Sequence, residues 1–293
     1  MYELNKVGEN TYYIDSPANV GVYEYGGKVC LIDSGSDMDA AKKALRLIEG
    51  RGWTLDMVIC THSHADHAGG CAYLREKTGC RVYAYGAAAA IVKYPFLEPT
   101  YLYGGFPAKE LRSKFLMSAP CECEELTEEV LPDGLEFAEM NGHDFAQIAV
   151  GTKDGVWFTA DIVLDAATLS KYKVSFLYDI ESHLETLDRL EKLSGRLFIP
   201  AHSEPIESIA ELCRINRGNV FEVAEVIKRL CRDALTIDEL LERIFAEFGI
   251  KLYLMQYALI GCTTRSYLSW LVGRGEMKMV FEGTRLLWKT ADN

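Results

Sequence analysis

The chain has 293 residues, 49% apolar and 25% charged, an ordinary globular composition at a length that buries a core without disulfide staples. Its net charge of −12 lies wholly in residues 1–205, which carry 19 basic against 31 acidic side chains, while residues 206–293 carry 12 of each. Neither part concentrates the positive charge that grips a phosphate backbone, so nucleic acid is not an expected partner, and no run of 18 apolar residues is present to span a membrane.

The first third reads as strands. Residues 12–14, 18–25 and 28–33 are rich in β-branched and aromatic side chains, with Gly26-Gly27 turning between the last two. Ser36-Asp37 opens a helix over 38–49, whose Ala41, Ala44, Leu45 and Ile48 share one face. A short apolar strand over 57–60 runs into THSHADHAGG, and a helix follows to Lys77 with Gly79 as its stop. A strand over 81–85 and a short helix over 86–93 come next. Residues 94–115 hold three prolines and six aromatic side chains, the density of an ordered loop, and read either as a substrate lid or as a subunit contact. Strands resume over 135–140, 145–151 and 156–159. Ser182 with Glu185 forms a capping box for a helix to Leu193, and a strand over 197–199 stops at Pro200.

From Pro205 the pattern turns helical. Helices are predicted over 207–232, from the capping box Thr236/Glu239 to Phe248, and over 253–272, followed by a hairpin around Glu282-Gly283. The expected organisation is therefore a domain over 1–205 and a winged-helix-like domain over 206–293. The third helix carries one basic residue, Arg265, and at least ten large apolar ones. It is built to pack on the rest of the chain or on a second subunit rather than to read nucleic acid.

Nine cysteines, an odd number with no CxxC, fit a reduced interior. The opening MYELNKVGENTYYIDS has no apolar signal-peptide core, and the expected location is the cytoplasm. Cys121-Glu122-Cys123 has no second half and reads as structural.

The histidines carry the chemistry. Of only six, three fall in one decapeptide: His62, His64 and His67, with Asp66 among them. An alternating H-x-H off an extended backbone points two imidazoles the same way. The turn into the next helix then aims a carboxylate and a third imidazole at a neighbouring point. That layout suits two metal ions, with imidazole and carboxylate as the expected zinc ligands. Gly69-Gly70 keeps the first helical turn slim, so that backbone passes close to the site. His183, just inside a predicted helix start, reads as a surface or cap residue.

HSHADH resembles the HxHxDH signature of the metallo-β-lactamase superfamily, and THSHADHAGG is similar to its glyoxalase II branch in particular. Four further landmarks resemble the family in order: Leu31-Ile32-Asp33-Ser34-Gly35, Gly142-His143, Ala160-Asp161 and Ala201-His202-Ser203. The resemblance spans residues 10–205 and implies an α/β fold, the αββα sandwich. It implies that His62, His64 and His143 hold a first metal and that Asp66, His67 and His202 hold a second. Asp161 would bridge the two, and Asp33 would orient the first loop by hydrogen bonds. The sequence departs from the family at Asp144-Phe145-Ala146-Gln147, where a Thr-Pro-Gly-Ser-like turn is usual, and at Ala201 and Ser203, which replace glycines beside His202.

The implied activity is hydrolysis of a small ester, thioester or lactone by a metal-bridging hydroxide, with two divalent ions as cofactors. Zinc is the default, and iron and manganese are compatible. Metal-bound water and Asp66 are both candidates for supplying the leaving-group proton. The secreted β-lactamase branch is disfavoured by the missing export signal and by Asp161, where many of its members have cysteine. The flavodiiron branch is disfavoured by His64, where its members have glutamate. The alternative is a metal-dependent endoribonuclease, since some family ribonucleases carry a winged-helix-like tail. A small-molecule substrate and a homo-oligomer formed through the C-terminal part or residues 94–115 complete the expectations.

Overall fold

The computed structural model describes residues 2–291. Seven strands form one sheet in sequence order: β1 (Glu3–Lys6), β2 (Thr11–Asp15), β3 (Val20–Tyr25), β4 (Lys28–Ile32), β5 (Thr54–Cys60), β6 (Arg81–Ala84) and β7 (Glu124–Glu125). The first four pair antiparallel and the rest parallel. The switch falls at β4/β5, where the connection is a helix, α1 (Met38–Glu49), rather than a tight turn. A second sheet of β8 (Leu135–Glu139), β9 (Ile148–Thr152), β10 (Val156–Ala160) and β11 (Leu197–Pro200) has the order β11-β10-β9-β8. The two sheets meet face to face: Ile32, Met57 and Ile59 from the first pack with Ile148, Val150, Phe158 and Ile199 from the second.

Helices cover both outer faces, which makes the αββα sandwich. On the first sheet lie α1, α2 (Ala65–Ala68), α3 (Cys71–Thr78) and α4 (Ala87–Lys93), with Ala41, Ala44, Leu45, Ile48 and Leu74 buried against Val22, Val29, Val58 and Val82. The four alanine and aliphatic positions on α1 are those the periodicity selects. Asp37 caps this helix by accepting from the Asp39 and Ala40 amides. Residues 94–115 include a helix, α5 (Leu97–Tyr103), and a 3-10 turn over Lys109–Leu111, so part of the segment expected as loop is helical. A further short helix, α6 (Ala166–Tyr172), follows β10.

The second sheet is covered by α7 (Ile180–Leu190) and the start of α8 (Ala210–Leu230), through Leu187, Leu190, Leu212 and Cys213. The cap of α7 is Asp179, which accepts from the Ser182 amide and hydroxyl; Ser182, expected as the cap, is already helical. Asp179 competes successfully because a carboxylate is the better acceptor for the first-turn amides. Pro200, expected to end its strand, is the last residue of β11, paired with Ala160 at an edge where no amide is needed.

The C-terminal region is helical, with α8, α9 (Ile237–Phe248) and α10 (Leu254–Gly273), followed by a hairpin of β12 (Met277–Glu282) and β13 (Arg285–Thr290). The Thr236/Glu239 capping box opens α9 as expected. The core of this region takes in Val174 and Leu177, which precede α7, and Ile180, its first residue. Helix α10 is apolar around most of its circumference because it has three neighbours. Tyr267, Leu268 and Leu271 face the C-terminal core, and Ala258 packs against Leu102, Leu111 and Leu116 of the 94–116 segment. Leu259, Ile260 and Thr263 line a cavity shared with Leu164 and Phe176.

Candidate metal centre

The strand ends and the loops that follow them bring seven side chains together. β5 ends at Cys60, and the next residues leave the sheet as Thr61-His62-Ser63-His64 before α2 supplies Asp66 and His67. His143 sits in the loop between β8 and β9. Asp161 follows Ala160, which takes a positive φ of 48° as β10 ends, and His202 follows β11. Potential ligand atoms of His62, His64, His143 and Asp161 form one group, and those of Asp66, His67, Asp161 and His202 a second; within each group they lie within 4.8 Å of one another. Asp161 belongs to both.

The protonation pattern is dictated from outside the cluster. Asp33, itself at a positive φ of 67°, accepts from the Thr61 amide at 2.7 Å, the Thr61 hydroxyl at 2.8 Å and His67 Nδ1 at 2.8 Å. Since the Thr61 hydroxyl proton goes to Asp33, its oxygen accepts from His62 Nδ1 at 3.1 Å. His143 Nδ1 donates to the Phe176 carbonyl at 3.0 Å and His202 Nδ1 to the Pro17 carbonyl at 2.7 Å. With Nδ1 engaged outside the cluster, four imidazoles turn Nε2 inward as the atom that would meet a metal. His64 presents Nδ1 instead, 3.1 Å from His62 Nε2 and 3.0 Å from His143 Nε2.

The first group is short of a proton. His64 Nδ1 can donate to only one of the two nitrogens facing it, which leaves lone pair against lone pair. His67 Nε2 and Asp161 Oδ1 are buried, 3.3 Å apart, and neither makes a hydrogen bond of acceptable geometry. His202 Nε2 lies 3.3 Å from Asp66 Oδ2 and 3.4 Å from Asp161 Oδ2. Facing lone pairs in the first group, and two carboxylates crowded against imidazoles in the second, are what a cation satisfies, so the His/Asp cluster fits a metal site.

The electrostatics agree. Burial, then His67 and His64, holds the His62 imidazole well below its ordinary pKa, and burial with His64 pulls His143 down to about 4. Burial opposes ionisation of Asp161, but His202 and His67 outweigh it and hold that carboxyl well below its usual range. Burial likewise opposes the charge on Asp66, yet His67 and His202 lower it to about 2. Burial opposes a charge on His67, but Asp161 and Asp66 raise its pKa well above the ordinary value, and Asp161 raises His202 to about 11, so without a cation these two imidazoles hold protons beside the carboxylates. Metals take neutral imidazoles and ionised carboxylates, so ion binding at the second group would displace those protons.

The centre opens into a cavity of about 620 Å³ lined by His64, Asp66, His143, Asp161 and His202, with Phe115 and Leu116 from the 94–116 segment, Phe176, and Leu259 and Ile260 from α10. Lys171 is the single lysine or arginine among its lining residues.

The decapeptide, Asp33, His143, Asp161 and His202 are thus all brought to one place. His183 is not where the sequence reading put it. It is buried on α7 beneath the Gly142-His143 loop, because at Gly142, with φ +124°, an added Cβ would fall on the His183 backbone. At Gly69 a Cβ would meet the Ser36 carbonyl, which is the close backbone passage expected of the glycine pair. Sequence reasoning missed Glu98, a buried acid on α5 whose carboxylate lies 4.0 Å from His64 Nε2. Its only signal is an acid set among aromatic and proline residues. It also missed Asp144, which ties the His143 loop to Ser63.

Comparison with known families decides the assignment, for the model of the metallo-beta-lactamase superfamily matches residues 13–202, the span that holds every one of these side chains. The chain belongs to the metallo-beta-lactamase superfamily. Within it, hydroxyacylglutathione hydrolases from Bradyrhizobium sp. and Cereibacter sphaeroides are 46% identical over 46 residues and 42% over 62, or 16% and 21% of this chain. These matches span 18% and 24% of the relatives' own length. Among solved structures, a metallo-beta-lactamase family protein from Thermus thermophilus aligns with a TM-score of 0.73 at 20% identity, covering 96% of this chain and 98% of that one. A beta-lactamase domain protein from Burkholderia ambifaria aligns with a TM-score of 0.75 at 16% identity, covering 99% and 94%. At such identities these likenesses speak to the superfamily fold, and they extend over the C-terminal helices as well.

Proposed function

We propose that the chain is a dinuclear metal-dependent hydrolase acting on a small ester, thioester or lactone. The observation that carries this reading is the pair of four-residue groups sharing Asp161 at the base of a largely apolar cavity. His62, His64 and His143 would hold one ion, Asp66, His67 and His202 the other, and Asp161 both. Zinc suits this donor set, as do iron and manganese. Bound divalent ions supply Lewis acidity and make water at the site acidic near neutral pH.

The chain's own residues do the rest. Asp33, Thr61, Pro17 and Phe176 fix the imidazoles so that their Nε2 atoms face inward without reorganisation. Phe176, Leu259 and Ile260 set hydrocarbon beside the reacting carbonyl. Asp66 lines the cavity and is ionised, so it is placed to take a proton from the attacking water and return it to the departing alkoxide or thiolate. Water's oxygen ends in the new carboxylate as the acyl C–O or C–S bond breaks. Cleavage of an RNA phosphodiester is disfavoured by the cavity's single lysine and by the acidic balance of residues 1–205.

The test is elemental analysis of protein purified without added metal, beside assays of acyl thioesters, lactones and single-stranded RNA at several salt concentrations. Two metals per chain and acyl hydrolysis with weak salt dependence, both lost in Asp161→Ala, are expected. Steeply salt-sensitive RNA cleavage, or less than one metal per chain, would overturn the reading.

A further inference from the structure

We infer that the C-terminal helix α10, together with the 94–116 segment, forms the acyl-binding wall of the active site, and that the substrate carries an apolar acyl group. This rests on the acyl-hydrolase reading above. The cavity of about 620 Å³ falls within the ~300–1,000 Å³ of pockets that enclose a small-molecule ligand. Away from the histidines and carboxylates its walls are mainly aliphatic or aromatic, with Leu116, Leu164, Val174, Phe176, Leu259 and Ile260, interrupted by Thr168, Lys171, Ser175, Gln256 and Thr263. The apolar surface starts at the centre itself. The Phe176 ring lies with its centroid 5.4 Å from His64 and 5.7 Å from His143, edge-on to both. A carbonyl placed at the centre therefore has hydrocarbon beside it at once.

The wall is also fixed in place. Thr263 on α10 accepts from the Leu177 amide at 3.2 Å, and the Ser266 hydroxyl donates to the Tyr178 carbonyl at 2.7 Å. The Tyr178 and Asp179 amides donate to the Gly142 carbonyl at 2.9 Å, next to His143. Helix α10 is thus bonded through residues 177–179 to the loop that presents His143. On its other side Ala258 packs against Leu102, Leu111 and Leu116. A wall rigid relative to the reacting atoms selects by length, since an arm that overfills it displaces the carbonyl. Leu259 is half-buried and faces the cavity, so its size sets the depth.

The experiment uses the full-length, metal-loaded protein and two ester series, one with a constant leaving group and growing straight acyl chains, the other acetyl esters with growing alcohols. A parallel series of straight-chain methyl ketones, which cannot be hydrolysed, is followed by calorimetry. In the acyl series kcat/KM should rise about threefold to fourfold per methylene and then level off. Ketone affinity should rise with the same dependence. Leu259→Trp should bring the plateau in by about two carbons and Leu259→Ala push it out, with metal content and melting temperature held as controls. A flat acyl series, a length dependence confined to the alcohol arm, or a plateau unmoved by both folded Leu259 variants would overturn the inference. If no ester is hydrolysed while the ketones still bind tighter with length, the acyl-hydrolase reading fails and the apolar wall stands. If esters are hydrolysed without length dependence, the wall fails alone.

Discussion

Asp144 Oδ2 accepts both the backbone amide of Ser63, at 3.1 Å, and its hydroxyl, at 2.7 Å. One buried carboxylate thus joins the loop bearing His143 to the loop bearing His62 and His64, and it occupies a position where this sequence departs from its family's usual turn. Asp144→Ala would leave the buried Ser63 amide and hydroxyl unpaired. The expected loss is about 1–3 kcal/mol of stability, with reduced metal retention, read by denaturant unfolding and metal analysis. Unchanged stability in Asp144→Ala would show that the tie is dispensable.

Gly142 has a φ of +124° and lies against the His183 backbone. Gly142→Ala adds strain and a collision at once, costing about 1–3 kcal/mol or more and displacing His143. Metal titration of the variant should show weaker binding of one ion. Wild-type affinity for both would count against the arrangement of this loop.

His183 gives a pH signature. Burial, then His143 and Arg217, lowers its pKa to about 3 from the ordinary ~6.5 of an unfolded chain. Below the unfolded value the unfolded chain binds a proton that the folded one refuses. Stability is therefore fully present above about pH 6.5 and falls, by about 1.4 kcal/mol per pH unit from this group, as pH drops toward its folded value. His183→Leu should remove that share, so the wild-type and variant curves diverge on acidification. Parallel curves between pH 4 and 6.5 would refute it.

Glu98 is buried on α5, its carboxyl 4.0 Å from His64 Nε2. Burial raises its carboxyl pKa well above the usual range, and a metal held at His64 Nδ1 would leave the Nε2 proton facing it. Glu98→Ala should weaken metal retention about tenfold, and Glu98→Gln, which keeps an acceptor, by less. Competition with a chelator separates the two; equal behaviour would assign Glu98 to packing alone.

Much of this was legible in the sequence because its signals are local. The decapeptide places His62, His64, Asp66 and His67 by chain geometry, and Asp33, His143, Asp161 and His202 each lie at or just beyond a recognisable strand or in the loop between two. The residues that escaped notice act across long separations. Glu98 meets His64, Asp144 meets Ser63 and Phe176 holds His143 only once the sheets and helices have packed. His183 escaped because a helix start reads as exposed until the neighbour that covers it is known. Helix α10 escaped in a different way: its apolar character was plain, but periodicity reports how many faces want cover and not which surface supplies it.

The hydrogen bonds from α10 to Leu177 and Tyr178, and from Tyr178 and Asp179 on to Gly142, make the C-terminal helix and the His143 loop a single working part. Transplanting the histidine-bearing sandwich alone would carry the ligands without their brace and the cavity without one of its sides. Any exchange of specificity with a relative therefore has to move α10, residues 94–116 and residues 174–179 as one block, and sequence drift in any of the three constrains the others.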